Sequence, residues 1–122
     1  MNRELSPHFT QQELACPCCG LYVENWTLIY LLEAIREHFG QPAMTHSGTR
    51  CKKHNADPAV GGAPRSFHLK GMAWDGEVKN VPVWKVAQYC DKLIGVKGGL
   101  ITYKSFVHVD VRGYKYRAAH TE

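Results

Sequence analysis

The chain has 122 residues, enough for one domain with a single modest core and too few for a second. Its formal net charge of +4 is mild, and no Lys/Arg block or basic–aromatic interleaving marks a nucleic-acid footprint, so a nucleic-acid partner is not expected. No apolar run approaches the roughly 20 residues needed to span a bilayer, which argues against membrane insertion. The opening MNRELSPHFTQQEL also lacks the apolar stretch of a secretory signal, so cytoplasmic synthesis is expected, with any action outside a membrane requiring release by other means.

In chain order, T-Q-Q-E at Thr10–Glu13 is a capping-box pattern that opens a short helix, closed by Pro17 and Gly20. In ENWTLIYLLEAIREHFG, residues Leu28, Leu31, Leu32, Ile35 and Phe39 recur at helical spacing and Gly40 follows as a stop, which predicts an amphipathic helix. PAMTHSG predicts a short strand ending in a turn at Gly48, and residues 49–66 read as a long polar loop rich in Gly, Pro and Asn. GMAWDG predicts a strand with Met72 and Trp74 on one side and Ala73 and Asp75 on the other. Val83, Val86, Ala87, Cys90 and Ile94 predict a second amphipathic helix between Pro82 and Gly95. GGLITY and SFVHVDVRG predict an antiparallel strand pair, and the tail after Gly113 reads as basic and loose. This order implies an α+β fold: one domain over residues 1–122, with a small, mostly antiparallel sheet covered by helices. Trp26, Trp74 and Trp84 are expected in the core, with Trp74 also placed to wall a cleft.

His68, Asp75 and His108 carry the chemistry. Two imidazoles and one carboxylate are a donor set suited to catalytic zinc, which takes three protein ligands and leaves a fourth position open. Alternation along SFVHVDVRG puts Phe106, His108 and Asp110 on one face and the valines on the other. The bland alternative is that each histidine is a hydrogen-bonded structural residue, as histidines near strands commonly are.

Longer motifs bear on this choice. SFHLKGMAWD fits Ser-x-His-x-x-Gly-x-Ala-x-Asp; SGTRC, His54-Asn55 and VGGA stand upstream and FVHVDVRG downstream. Together they resemble the zinc D-Ala-D-Ala carboxypeptidase and endopeptidase family M15, most closely its short M15A-like branch of phage and bacterial genomes. That resemblance implies the small α+β fold shared with the Hedgehog signalling domain. It implies zinc held by His68, Asp75 and His108. Arg50 would face the substrate and polarise the scissile carbonyl, and Ser66 would line the site and bond the peptide. Gly71 and Ala73 fall on positions that stay small. Relatives commonly carry an acidic or histidine base two or three residues before the last zinc histidine, where this chain has Phe106 and Ser105. Asp110 is the nearest substitute, as base or as a partner orienting a ligand or Arg112. His46 and His54 are weaker candidates.

The implied function is a zinc peptidase hydrolysing peptidoglycan stem peptides, a monomer serving in phage lysis or entry. The alternative is a catalytically impaired module that keeps the zinc and binds wall peptides or sits in a virion. ACPCCG carries Cys16, Cys18 and Cys19, which resemble half of a zinc ribbon. A four-thiolate site would need Cys51 or Cys90 to join from afar, so small buried thiols or a redox-sensitive patch are expected over a second, structural metal there. A metal or redox sensor built on these cysteines is the weakest functional reading.

Overall fold

The computed structural model describes residues 2–121. Strands β1 (Glu4–Ser6) and β2 (Phe9–Thr10) form a small antiparallel ribbon that leads into α1 (Gln11–Leu14). The Thr10 amide donates to Glu13 Oε1 at 2.9 Å, the return bond of the predicted capping box. Helix α2 (Trp26–Phe39) starts at Asn25, whose side chain accepts from the Leu28 amide, and stops at Gly40 with φ +64°. Strand β3 (Ala43–Ser47), helix α3 (Lys52–Ala56) and a single 3-10 turn (Phe67–Lys70) precede β4 (Ala73–Val78). Helix α4 (Val83–Ile94) and strands β5 (Gly99–Tyr103), β6 (Val107–Asp110) and β7 (Tyr116–His120) complete the chain.

The main sheet has strand order β3-β4-β6-β5-β7. Every pairing is antiparallel except β5 with β7, which is parallel. The α+β class is as expected from the sequence. Both long helices cover one face, burying Leu28, Ile29, Leu32 and Ile35 of α2 and Val86, Cys90 and Ile94 of α4 against Trp74, Leu100, Val107 and Val109. Burying each such side chain contributes about 1.5–3 kcal/mol, so this layer carries the fold. Because side chains alternate along a strand, the same pairing sends Asp75 and His108 to the opposite face, where they lie directly across from one another.

Three expectations are corrected. The tail after Gly113 is not loose: β7 adds to the sheet edge, and Arg117 pins it by donating to the carbonyls of Gly95 and Gly98 and to Asp91 Oδ1. Residues 49–66 are not all loop, because Cys51 caps the short helix α3. Trp26 and Trp84 lie on the outer faces of their helices, 46% and 62% exposed. Trp74 is fully buried, its Nε1 donating to Thr45 Oγ1 and its ring lying over Gly76, so it belongs to the core and not to a cleft wall.

Candidate functional site

The polar face of the sheet is built around the Asp75–His108 pair. His108 sits between Asp75 on β4 and Ile101 on β5. A bulge in β3 between Thr45 and Ser47 ends that strand beside Asp75 and turns the chain into Gly48–Arg50. The 3-10 turn brings in His68. Gly71 closes the turn at φ +67°, and a Cβ there would also strike Val23, which accounts physically for the small residue at this position.

Hydrogen bonds set the direction of each ring. His68 Nδ1 lies 2.7 Å from the Gly48 carbonyl oxygen, an acceptor only, so Nδ1 carries the proton and Nε2 carries the lone pair. His68 Nε2 is buried and has no hydrogen-bond partner among the described residues, although Asp75 Oδ1 lies 3.0 Å away. On the other side, His108 Nε2 is 2.7 Å from Asp110 Oδ2, and its Nδ1 is 2.8 Å from Asp75 Oδ1. His68 Nε2, His108 Nδ1 and the Asp75 carboxylate therefore converge, with their ligand atoms within 4.8 Å of one another. A tetrahedral ion with bonds of about 2.0–2.1 Å holds such donors roughly 3.3 Å apart, and zinc accepts this N, N, O set. A lone pair that is buried and unpartnered, aimed between two further donors, is what a metal would satisfy. The residues fit a metal ion.

The surroundings hold these ligands in place. Arg50 donates to Asp75 Oδ2 at 3.1 Å, Ser47 Oγ at 3.0 Å and Asn55 Oδ1 at 3.3 Å. Asp110 is fully buried. Its Oδ1 accepts from the Gly99 amide and from the Arg112 amide and Nε; its Oδ2 accepts from Arg112 Nη2 and faces the His108 ring. Gly99 is required opposite Asp110, since a Cβ would press on the carboxylate and on Arg112. Arg112 is in turn sandwiched, its guanidinium carbon 4.5 Å from the ring centres of both Phe67 and Tyr116. Burial by itself raises the pKa of Asp75, but the two imidazoles outweigh it and hold the carboxyl well below the usual carboxylate range. For Asp110 burial is likewise outweighed, by Arg112 and His108. Burial pulls His108 down, and the two carboxylates more than reverse this.

These ligands floor a cleft of about 670 Å³, lined also by Arg50, Arg65, Ser66, Tyr103, Phe106 and Arg112. Ser66 Oγ accepts from the His68 amide at 3.2 Å, leaving its own proton free to donate. Phe106 stacks on Tyr103 at 4.5 Å and forms an aromatic rim, with no acid or base at this position. His46 lies outside on that rim, paired with Glu77 Oε2 at 2.6 Å, and His54 lies on α3. Asn55, buried, was not given a role by sequence reasoning. It joins Arg50 to the Gly-rich loop by donating to the Ala63 carbonyl at 2.8 Å. Its only signal was its place in the motif after SGTRC.

The cysteines are brought together more closely than the sequence suggested. Cys51 joins Cys16, Cys18 and Cys19, all four sulfurs within 4.8 Å of one another, while Cys90 stays in the core. No helix among the described residues is long and apolar enough to cross a membrane.

No curated protein and no solved structure matches the chain. A family model described as peptidase M15 matches residues 7–110, a span that contains the converging His68, Asp75 and His108 together with Arg50, Ser66 and Asp110. With most of its length matched and a metal-ligand set at the floor of its cleft, the chain belongs to the M15 peptidase family.

Proposed function

We propose that this protein is a zinc peptidase that hydrolyses stem peptides of peptidoglycan. The observation that carries the reading is the buried, unpartnered His68 Nε2, aimed with His108 Nδ1 and Asp75 at one point on the floor of the cleft. A zinc ion held by these three residues supplies the Lewis acidity that polarises a peptide carbonyl and makes water a nucleophile near neutral pH.

The chain's own residues do the rest. Arg50 keeps Asp75 aimed through its hydrogen bond, and it presents a guanidinium beside the ligands to negative charge developing on the scissile carbonyl. Ser66 offers a hydroxyl proton to the bound peptide. Asp110 acts through His108: it fixes the ring so that Nδ1 faces Asp75. It lies on the far side of that ring with its oxygens engaged, so we read it as a positioning residue and not as the base. Arg50, Arg65 and Arg112 border the cleft, and Asp75 is the one carboxylate among its described lining residues. A divalent ion would make this surface more positive, which suits a substrate bearing free carboxylates, as wall peptides do.

That scarcity of carboxylates also favours the second reading, a wall-peptide binding module with little turnover. The two are separated by incubating zinc-loaded protein with purified peptidoglycan and measuring released amino groups beside His68→Ala. Release by wild type that is lost in His68→Ala supports the peptidase, and mass spectrometry of the products identifies the bond. Tight binding of wall fragments with no release supports the module; neither binding nor release removes peptidoglycan from the account.

A further inference from the structure

We propose that Cys16, Cys18, Cys19 and Cys51 form a second, structural zinc site, with four thiolates around one ion that clamp the N-terminal segment to the strand-end carrying Arg50. The site is separate from the cleft, and the argument for it does not depend on the proposed peptidase activity.

The first support is geometric. Cys16 Sγ lies 3.5 Å from Cys18 Sγ, and Cys18 Sγ lies 3.2 Å from Cys51 Sγ. All four sulfurs fall within 4.8 Å of one another, and none is in a disulfide. Zinc–sulfur bonds of about 2.3 Å put the corners of a tetrahedron roughly 3.8 Å apart, so small side-chain rotations close the shell. A second support is where these thiols sit. Cys90 behaves as a small hydrophobe, wholly inside the core, but Cys18 and Cys19 are exposed. Cys16 is buried and Cys51 half-buried beside them, and packing does not account for exposed thiols gathered with these from two distant segments. Metal ligation does.

The backbone is arranged for the same purpose. Cys16 to Leu21 form a tight knuckle: Gly20 N donates to the Cys16 carbonyl and Cys16 N to the Leu21 carbonyl, both at 2.8 Å, with Gly20 at φ +79°. Two amides point at sulfur, Cys51 N at Cys16 Sγ and His54 N at Cys51 Sγ, both at 3.4 Å. Such bonds disperse the negative charge of a tetrathiolate centre. Lys52 and Lys53 follow Cys51 directly.

The clamp reaches the cleft through four residues. Thr49 N donates to the Leu14 carbonyl at 2.8 Å, and Arg50 N to the His68 carbonyl at 3.0 Å. The Gly48 carbonyl receives His68 Nδ1. A Cβ on Gly48 would run into the Leu14 backbone, so this segment lies directly on the end of α1, two residues before the knuckle. Fixing Cys51 therefore fixes the backbone that aims both Arg50 and His68.

The test is metal analysis of the full chain as wild type, Cys51→Ser, Cys90→Ser and His68→Ala, together with cobalt replacement. Wild type and Cys90→Ser should hold two zinc ions per chain, and Cys51→Ser one. Cobalt-loaded wild type and His68→Ala should both show sulfur-to-metal charge-transfer absorption, which Cys51→Ser should lose. If Cys51→Ser fails to fold, wild type alone still decides the matter. Its exposed Cys18 and Cys19 should resist a thiol reagent until a chelator is added. Immediate reaction of those thiols in zinc-loaded wild type overturns the proposal. So does cobalt absorption without a sulfur component, or a disulfide among these four cysteines in zinc-loaded protein. Wild type that holds one zinc ion per chain, with the sulfur signal intact, would count against the peptidase reading alone.

Discussion

At the scale of single residues, the proposed positioning role of Asp110 makes the site depend on a fully buried group behind the His108 ring. Its carboxylate gathers the Gly99 amide, the Arg112 fork and the His108 ring into one buried cluster. Asp110→Asn keeps the size but puts an amide where one charged partner must be lost. Breaking a buried pair costs about 3–5 kcal/mol, and removing the partner of a ligating histidine costs roughly 10–100-fold in metal affinity. The variant should therefore melt earlier and bind zinc more weakly in a chelator competition, and excess zinc should restore part of its turnover. Wild-type zinc affinity with no turnover at any zinc concentration would instead return Asp110 to the role of base. His68 and Asp75 could be read together because they share one compact local motif, whereas His108 was added from a second fragment with the support of the family resemblance; the three do come together in space. The role of Asn55 was not legible, and Cys51 could not be told from Cys90 as the partner of the cysteine cluster, since their partners come from elements whose approach no local period encodes. For Asp110 the sequence left two roles open, and its place on the far side of the His108 ring is what supports the positioning role proposed above.

At the scale of elements, the helices and central strands could be read because their signals are local. The α2 cap at Asn25, its stop at Gly40 and the apolar face between them lie within one stretch of chain. Strand β7 was missed because Tyr116–His120 shows no clean alternation and its partner β5 follows from tertiary packing. The β1–β2 ribbon was missed for a similar reason, since it is held by Glu33 on α2. Glu33 Oε1 accepts from Ser6 Oγ and the His8 amide, both at 2.7 Å, and Oε2 faces His8 Nδ1 at 2.9 Å. Burial raises the Glu33 pKa, but these donors outweigh it and the net shift is downward from 4.5. A depressed carboxylate contributes stability above its unfolded pKa and loses it as pH falls through the folded value. Glu33→Gln should thus cost about 1–3 kcal/mol at neutral pH. Chemical denaturation at a series of pH values should show the gap between the two proteins narrowing below 4.5. A gap that stays constant into strong acid would mean the ribbon is held by packing and not by this charge.

At the scale of the whole molecule, the question is what the metal-ligand groups contribute to a fold that already has a core. The apolar layer between the two long helices and the sheet contains none of the three cleft ligands. Asp75 also keeps partners without an ion, in Arg50 and His108. Removing metal should therefore leave a folded protein and not an unfolded chain, unlike small zinc domains whose core is the metal itself. An ion that binds only the native state still adds stability by mass action, about 2.7 kcal/mol at a free concentration one hundred times its dissociation constant. For a domain of this length that corresponds to roughly 10 °C in Tm per ion, or about 20 °C for two. Thermal melts with and without a strong chelator should thus show two cooperative transitions separated by about that much. His68→Ala removes the cleft ion but leaves the cysteine cluster, so chelator should still lower its Tm, by less than in wild type. Cys51→Ser should show the complementary residual shift. If chelator leaves the His68→Ala melt unmoved, all metal stabilisation resides in the cleft and the cysteine clamp does not exist. If apo wild type gives no cooperative transition at all, the helix-covered core is insufficient alone and the metals are part of the folding nucleus.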